Sequence, residues 1–524
     1  MPGCGLGIPR SDEMHNQATT PWIKKGMLLL LIVGTLLRLV YTARPFDQRI
    51  MTSWRQADYV QIARNYDREG MNILYPRIDW RGNSPGYVEA EFPLVPWLGA
   101  AMYRIFGYHE NLLRVAPCVF SILTLFLFGW LARKELPQEG ALAATAFFAL
   151  NPLLFYLSTA IQPESLMLFM VVLGYACIRL WEAQPALRHL LPASLVAGGA
   201  ILAKTPAASL GLLLGYAVLK KLGWRTFTQP GIYLAALAGL LPPLAWYAWA
   251  HSFWLEYGNS LGISNESHFI GLDILFPPTF LAGNLKWETL WVFTPPGWLL
   301  LLAAILFLQP RYHLMLAWYG MVWIFYLLAA RTSGDAWSYY YHCSSIPAAC
   351  LLMGAGCSSI PAGRLNWKRW IPLLCAGVIL SEIALIGRVI WQRDFGPLES
   401  GLGAKRQAAL QFAPQVGPDE KILVEGGEMS DEKGHPVAFN DPMFFAWMDR
   451  KGFNHGIEEF SQETLEKFRL LGARYWIGRI EFFRQHNPDE ADKVKQAYPL
   501  VAEGPGGYGL YRLADPKAEQ GKNP

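Results

Sequence analysis

The chain has 524 residues, of which 52% are hydrophobic and 16% charged, with a formal net charge of +4. A surplus that small and dispersed excludes nucleic acid as a partner. Many apolar tracts approach the ~20 residues that cross a bilayer, which excludes a soluble multidomain chain; 21 tryptophans and 23 tyrosines suit lipid–water interfaces.

In chain order, a polar leader (1–25) precedes the first apolar run, and no small-residue cleavage site follows it, so the run reads as a span and not a removable signal. Spans are predicted at about 26–43, 111–132, 138–157, 162–181, 189–203, 206–220, 231–252, 297–309, 314–330, 344–358 and 370–390. The expected fold is an all-α polytopic membrane bundle of about 11 transmembrane helices (26–390), followed by a small C-terminal α/β soluble domain (391–524). Charged residues become frequent there, and the runs "KILVE", "ARYWIG" and "GYGLYRL" read as strands beside the helical "SQETLEKFRLLG".

Lys and Arg resist translocation. One set of connections holds Lys24, Lys25, Arg133, Lys134, Arg179, Arg188, Lys220, Lys221, Arg225, Arg311, Arg364, Lys368 and Arg369, against Lys204, Lys286 and Arg331 on the other side. That bias predicts a cytoplasmic N-terminus and an extracytoplasmic C-terminal domain, at the plasma membrane in a bacterium. The seven cysteines fall mostly in or beside apolar runs and read as small core residues, not as a disulfide framework or zinc site. "NES" at Asn265 fits a glycosylation acceptor. No cofactor is demanded, and a divalent metal is left open.

The first outer loop, about 44–110, holds the polar stretch "SWRQADYVQIARNY". Asp58 follows Arg55 by one helical turn, which reads either as an intrahelical ion pair or as a carboxylate that takes a proton from an acceptor hydroxyl. "GYVEAEFPL" places Glu89 and Glu91 just before an interfacial helix; they complement its dipole or handle sugar hydroxyls. Further outward corners bring Gln162 and Glu164 ("QPESL"), Lys204 ("LAKTP"), and Arg331 with His342 ("RTSGDAWSYYYHCSS"). Lys204 reads as a snorkelling lysine or a phosphate partner. His342 reads as an interface histidine or part of a site. Ionisable groups at a membrane rim mark substrate paths, and acids for a hydroxyl with cations for an anion suit group transfer from a lipid-linked phosphate.

Several motifs resemble the lipid-phosphate-sugar-dependent glycosyltransferases of the GT-C fold, in the family 39 branch of protein mannosyltransferase-like and aminoarabinose transferase-like enzymes. They are "DYVQIARNY", "EFPL", "NLLRVAPCVFSILTLFLFGWLARK", "QPESLMLF" and "LAKTP", in order over about 26–390. Aminoarabinose transferase-like members usually carry an Asp-Glu pair where this chain has Arg55-Gln56, and "E-K-P-P" where it has "E-F-P-L". The resemblance implies a polyprenyl- or dolichyl-phosphate sugar donor, inverting displacement and an outer-face active site. Asp58 would then be the base, with Glu89 or Glu91 positioning sugar or acceptor. Lys204, Arg331 and His342 would meet the phosphate, and Arg55, Gln56, Gln162 and Glu164 would complete the substrate-binding set. The acceptor stays open among glycan, lipid and protein. A lipid-linked sugar flippase and a membrane scaffold are the alternatives.

Overall fold

Helix α1 (Pro21–Ala43) starts with a proline at its first position, where the missing N–H costs nothing. Its outward Leu28, Leu29, Leu36 and Val40 are exposed, whereas Met27, Leu30 and Gly34 pack inward. Arg38 survives on the inner side because fixed acceptors meet its guanidinium. Its Nε donates to Ser121 Oγ at 2.9 Å, and Nη1 donates to the Gly34 and Ala149 carbonyls at 2.8 and 3.2 Å. A computed structural model describes residues 20–44, 54–263, 278–307, 309–359, 371–394, 401–430 and 440–513. Most of the leader, Asn265, and the basic residues Arg364, Lys368 and Arg369 lie outside them.

The first loop contributes α2 (Trp54–Glu69) and α3 (Leu94–Phe106). At 1.5 Å per residue, the 13 residues of α3 reach about 20 Å, too short to cross. The bundle continues with α4 (Val115–Glu135), α5 (Gln138–Ala149), α6 (Pro152–Leu157), α7 (Glu164–Ala183), α8 (Leu187–Ala203), α9 (Ala208–Leu222) and α10 (Pro230–Tyr257). Then come α11 (Pro278–Trp287), α12 (Thr294–Leu306), α13 (His313–Ala329), α14 (Ile346–Ser359) and α15 (Ile371–Asp394). Among the described residues, six helical runs are long and apolar enough to cross a membrane; shorter helices and the 24-residue α15 occupy the other expected spans. The chain is an integral, multi-pass membrane protein.

Two predicted spans differ from the structure. The run 138–157 breaks at Asn151, whose side chain caps α6 through the N–H groups of Leu153 and Leu154. The span predicted from 297 belongs to a longer run, Pro278–Leu306, joined through a π-helical stretch at Glu288–Phe293. Polar Asn284, Lys286 and Glu288 with Pro295-Pro296 hid it from a hydropathy reading. Helices α8 and α10 pack backbone to backbone, where a Cβ on Gly198 would collide with the Gly239 carbonyl. The described cysteines Cys118, Cys177, Cys343, Cys350 and Cys357 are free thiols.

After α15, α16 (Leu402–Phe412) leads into β1 (Lys421–Glu425), α17 (Met443–Met448), β2 (Gly452–His455), α18 (Gln462–Leu470) and β3 (Ala473–Gly478). Helices α19 (Ile480–His486) and α20 (Pro488–Ala497) precede β4 (Leu500–Glu503) and β5 (Gly509–Arg512). The strand order is β2-β1-β3-β5-β4, with β1 parallel to both neighbours and β5 antiparallel to both of its own. The expected α/β fold is present; β2 and β4 are the strands the sequence did not announce. One apolar core runs from the first loop into this sheet, joining Ile62, Ala63 and Tyr66 of α2 to Phe444, Phe445 and Met448 of α17.

Candidate active site

Helix α2 is polar in sequence yet buried from Gln56 to Tyr66. It is clasped on every side, so its polar groups are met by fixed partners instead of water. Gln56 Oε1 accepts from the Ile161 N–H at 3.0 Å, and Gln61 Nε2 donates to the Pro442 carbonyl at 2.9 Å. Arg64 donates to the Ala446 carbonyl at 2.9 Å and pairs with Asp79 and Asp449, each at 3.3 Å. Asn65 donates to Asp79 Oδ1 at 2.9 Å. Helix α2 is therefore a bolt between the bundle and the C-terminal sheet.

At its start, Arg55 Nη2 donates to the Leu261 carbonyl at 2.5 Å, and Nη1 lies 4.0 Å from Glu91 Oε2. Tyr59 donates its hydroxyl to the same Glu91 oxygen at 3.0 Å. Across the site, buried Lys204 pairs with buried Glu164, whose Oε2 has no partner among the described residues. Lys204 Nζ also stands 5.0 Å over the Tyr340 ring and 5.7 Å from the Tyr341 centroid. The lysine is held by the non-helical turn between α8 and α9, where Pro206 cannot continue α8.

These groups open onto a cavity. Arg55, Glu91 and Lys204 form its charged wall; Pro206, Ile263, Phe325, Tyr326, Ala329 and Ala330 form an apolar wall opposite, largely from the end of α13. Burial alone would raise the Glu91 carboxyl, but Arg55, Lys204 and the Tyr59 hydroxyl hold it below its ordinary value. Asp58, 4% exposed, lies one turn along α2 and accepts from Trp80 Nε1 at 3.0 Å. Burial pushes its carboxyl up to about 7, with the negative charges of Glu91 and Asp441 adding and Arg55 and Trp80 opposing. Two nearby carboxyls are thus driven apart, one to a firm anion and one to a neutral-pH proton acceptor.

The expected site residues divide. Arg55, Glu91 and Lys204 share the cavity wall, with Glu164 on Lys204 and Asp58 a turn behind Arg55. Gln56 and Gln162 hold the turn that enters α7; Gln162 donates its N–H to the Ala160 carbonyl. Glu89 does not reach the cavity: it accepts from His251 Nδ1 at 3.0 Å and Ser260 Oγ at 2.5 Å, fixing the strand-like segment that presents Leu261 to Arg55. His342 is wholly buried elsewhere, Nδ1 on Glu288 Oε1 at 2.7 Å and Nε2 on the Ser333 carbonyl at 3.1 Å, so neither ring nitrogen faces the cavity. Arg331 is half-buried in the turn after α13, outside the cavity wall.

Sequence reasoning missed Tyr59, Trp80 and Asp441. Tyr59 sat inside a motif already singled out. Trp80 and Asp441 come from distant segments, and no local pattern ties "IDWRG" or "FNDPM" to α2. Among the described residues, no group of three or more His, Cys, Asp or Glu side chains is placed to hold a metal.

The helical bundle, polar first-loop helix and C-terminal α/β unit together form the GT-C fold. ArnT from Cupriavidus metallidurans in the apo state shares it with a TM-score of 0.63 at 14% identity, over 93% of this chain and 97% of that one. ArnT bound to undecaprenyl phosphate gives 0.59 at 15% identity, over 95% and 99%. The Archaeoglobus fulgidus oligosaccharyltransferase in complex with Zn and sulfate gives 0.51 at 13% identity, over 92% and 72%. By sequence, residues 89–249 match the family model of dolichyl-phosphate-mannose-protein mannosyltransferase. No curated protein matches the chain by sequence.

Proposed function

We propose that this chain is a glycosyltransferase that moves a sugar from a polyprenyl-phosphate donor to an acceptor hydroxyl on the extracytoplasmic face, with inversion. One observation carries the reading. The cavity sets two cations, Arg55 and Lys204, against an apolar wall from α13, as a ligand with a phosphate head and hydrocarbon tail requires. The match of residues 89–249 to a lipid-phosphate-sugar family supports the donor class. The excess of Lys and Arg on the opposite connections supports the orientation.

In this reading the donor phosphate lies between Arg55 and Lys204, whose charges favour it most once it has left. Lys204 exchanges part of its contact with Glu164 for the phosphate, so the site enters the reaction with its cation already desolvated and aimed. The acceptor oxygen attacks the anomeric carbon from the side opposite the phosphate, the carbon–oxygen bond to phosphate breaks, and Asp58 takes the hydroxyl proton. A single displacement inverts the anomeric centre. Glu91 stays ionised and orients sugar hydroxyls; Glu89 positions Arg55 through residues 259–261. No step here is routed through a metal, and a divalent ion enters this reading only if donor binding proves to require one. The unit from about 391 onward covers the acceptor side.

The test is a transfer assay with purified protein and radiolabelled polyprenyl-phosphate sugar. Label in an acceptor with inverted anomeric configuration supports the proposal. Movement of intact donor between leaflets without transfer would replace it with the flippase alternative, and neither event would favour a scaffold.

A further inference from the structure

A second cavity opens away from the one above, where the first loop meets the C-terminal sheet. Its charge is one-sided: Arg77, Arg81, Lys421 and Lys451 surround a single carboxylate, Glu69. Its volume of about 420 Å³ far exceeds the ~30 Å³ share of one water, so it admits an ion of several atoms. The cations come from two parts of the chain. Arg77 and Arg81 belong to the first loop, Lys421 begins β1, and Lys451 precedes β2.

The cations are held in place rather than waving in solvent. Arg81 donates to Glu69 Oε1 at 2.9 Å and to the Pro85 carbonyl at 2.8 Å; Arg77 donates to the Glu69 carbonyl at 3.1 Å and lies 5.1 Å from the Tyr87 ring centroid. Lys451 pairs with Glu69 as well, while Lys421 reaches Asn83 Oδ1, a neutral acceptor that leaves its charge unbalanced. The turn bearing these groups is pinned to the sheet by the Gly82 N–H on the Gly452 carbonyl at 2.7 Å. Burial, and next the Arg81 charge, lower the Lys421 ammonium below its ordinary value. Four cations around one carboxylate leave a surplus that a second anion would neutralise.

The geometry points to a binding site for a phosphate-class dianion at this junction, with Glu69 as the internal anion that holds the cations until it arrives. The inference stands on this geometry alone, whatever reaction occurs in the first cavity.

The test uses full-length protein in phosphatidylcholine nanodiscs, titrated with inorganic phosphate and read by calorimetry. Saturable binding is expected, falling about tenfold in Lys421→Gln, the loss of roughly one charge-assisted contact. Glu69→Gln is expected to bind phosphate more tightly, because the competing anion is gone; a merely structural clamp would loosen and bind nothing. Incorporating phosphatidic acid, whose headgroup is a phosphomonoester, separates the sources. Loss of apparent phosphate affinity in the wild type but not in Lys421→Gln identifies a lipid headgroup as occupant, and unchanged affinity identifies a water-soluble phosphate. Absence of saturable binding, or equal affinity in wild type and Lys421→Gln, overturns the inference.

Discussion

Replacing Asp58 with Asn keeps the shape and the acceptance from Trp80 but removes the carboxylate placed one turn from Arg55 on α2. A positioned general base is worth about 10²- to 10⁴-fold, so kcat/KM should fall by about that factor. The wild-type pH profile carries the stronger test. Burial lifts the carboxyl to about 7, and the base must be ionised to act. The rate should therefore climb with a slope of one below that value, reach about one-tenth of its plateau at about pH 6, and level off above about pH 8. Trp80 bonds to the ionised form and opposes the rise, so Trp80→Phe should move the inflection to higher pH, by about one unit if the bond is worth ~1.5 kcal/mol. Stability should run the other way. A folded-state value above the unfolded 3.8 means that the native protein binds the extra proton, so this group's stabilisation is present below about pH 4 and lost as pH rises through about 7. Asp58→Asn should thus melt higher than wild type at about pH 8, with the gap closing towards about pH 4. Initial-rate transfer assays and thermal melts across pH measure both. A flat wild-type profile from about pH 5 to 9, or an Asn variant with normal rate, would refute the base assignment and the electrostatic argument behind it.

Lys204→Ala should weaken donor binding more than acceptor binding in equilibrium measurements, because Lys204 lines the cavity proposed for the lipid phosphate; equal effects would count against the phosphate clamp. Asp441→Asn removes a negative neighbour of Asp58, so the inflection of the same pH profile should shift to lower pH. Arg64→Ala strips the partner from buried Asp79, a loss of about 3–5 kcal/mol for a broken buried pair, and should expose the C-terminal unit to limited proteolysis. Gly198→Val forces a side chain into the Gly239 carbonyl and should abolish the monodisperse peak in fluorescence-detected size exclusion.

Much of the architecture was legible because each helix facing lipid must be apolar over its own length, and that constraint is local. Helices α1, α4, α7 and α10 lie where hydropathy put them. Reading failed where the constraint relaxed: the run Pro278–Leu306 buries Asn284 and Glu288 against neighbouring helices and so carries polar residues no span rule tolerates. The candidate site was half legible for a related reason. Arg55, Glu91 and Lys204 stood out as charges beside apolar tracts, and they line one cavity. His342 carried the same pattern, yet Glu288 and Ser333 engage both its nitrogens, and nothing along the chain reveals which of two buried networks a polar residue will join. Trp80 and Asp441 act on Asp58 across 22 and 383 positions of sequence, a pairing created only by folding.

That long-range pairing bears on what the C-terminal unit does. A helix as polar as α2 gains nothing from burial unless each donor and acceptor is matched, and several of those matches come from residues 441–449. Gln61 donates to the Pro442 carbonyl, Arg64 to that of Ala446, and Arg68 pairs with Asp449. Removing the C-terminal unit would return these groups to water and strip away the low-dielectric surroundings that raise Asp58. An exposed Asp58 would titrate near its ordinary value, a proton acceptor about three units weaker and correspondingly poorer at accepting a hydroxyl proton near neutral pH. The α/β unit would therefore tune the proposed base as well as bury the helix that carries it. The docking contacts that bury α2 and the burial that raises the Asp58 carboxyl are one set of interactions, so a substitution that loosens the first should be visible in the second.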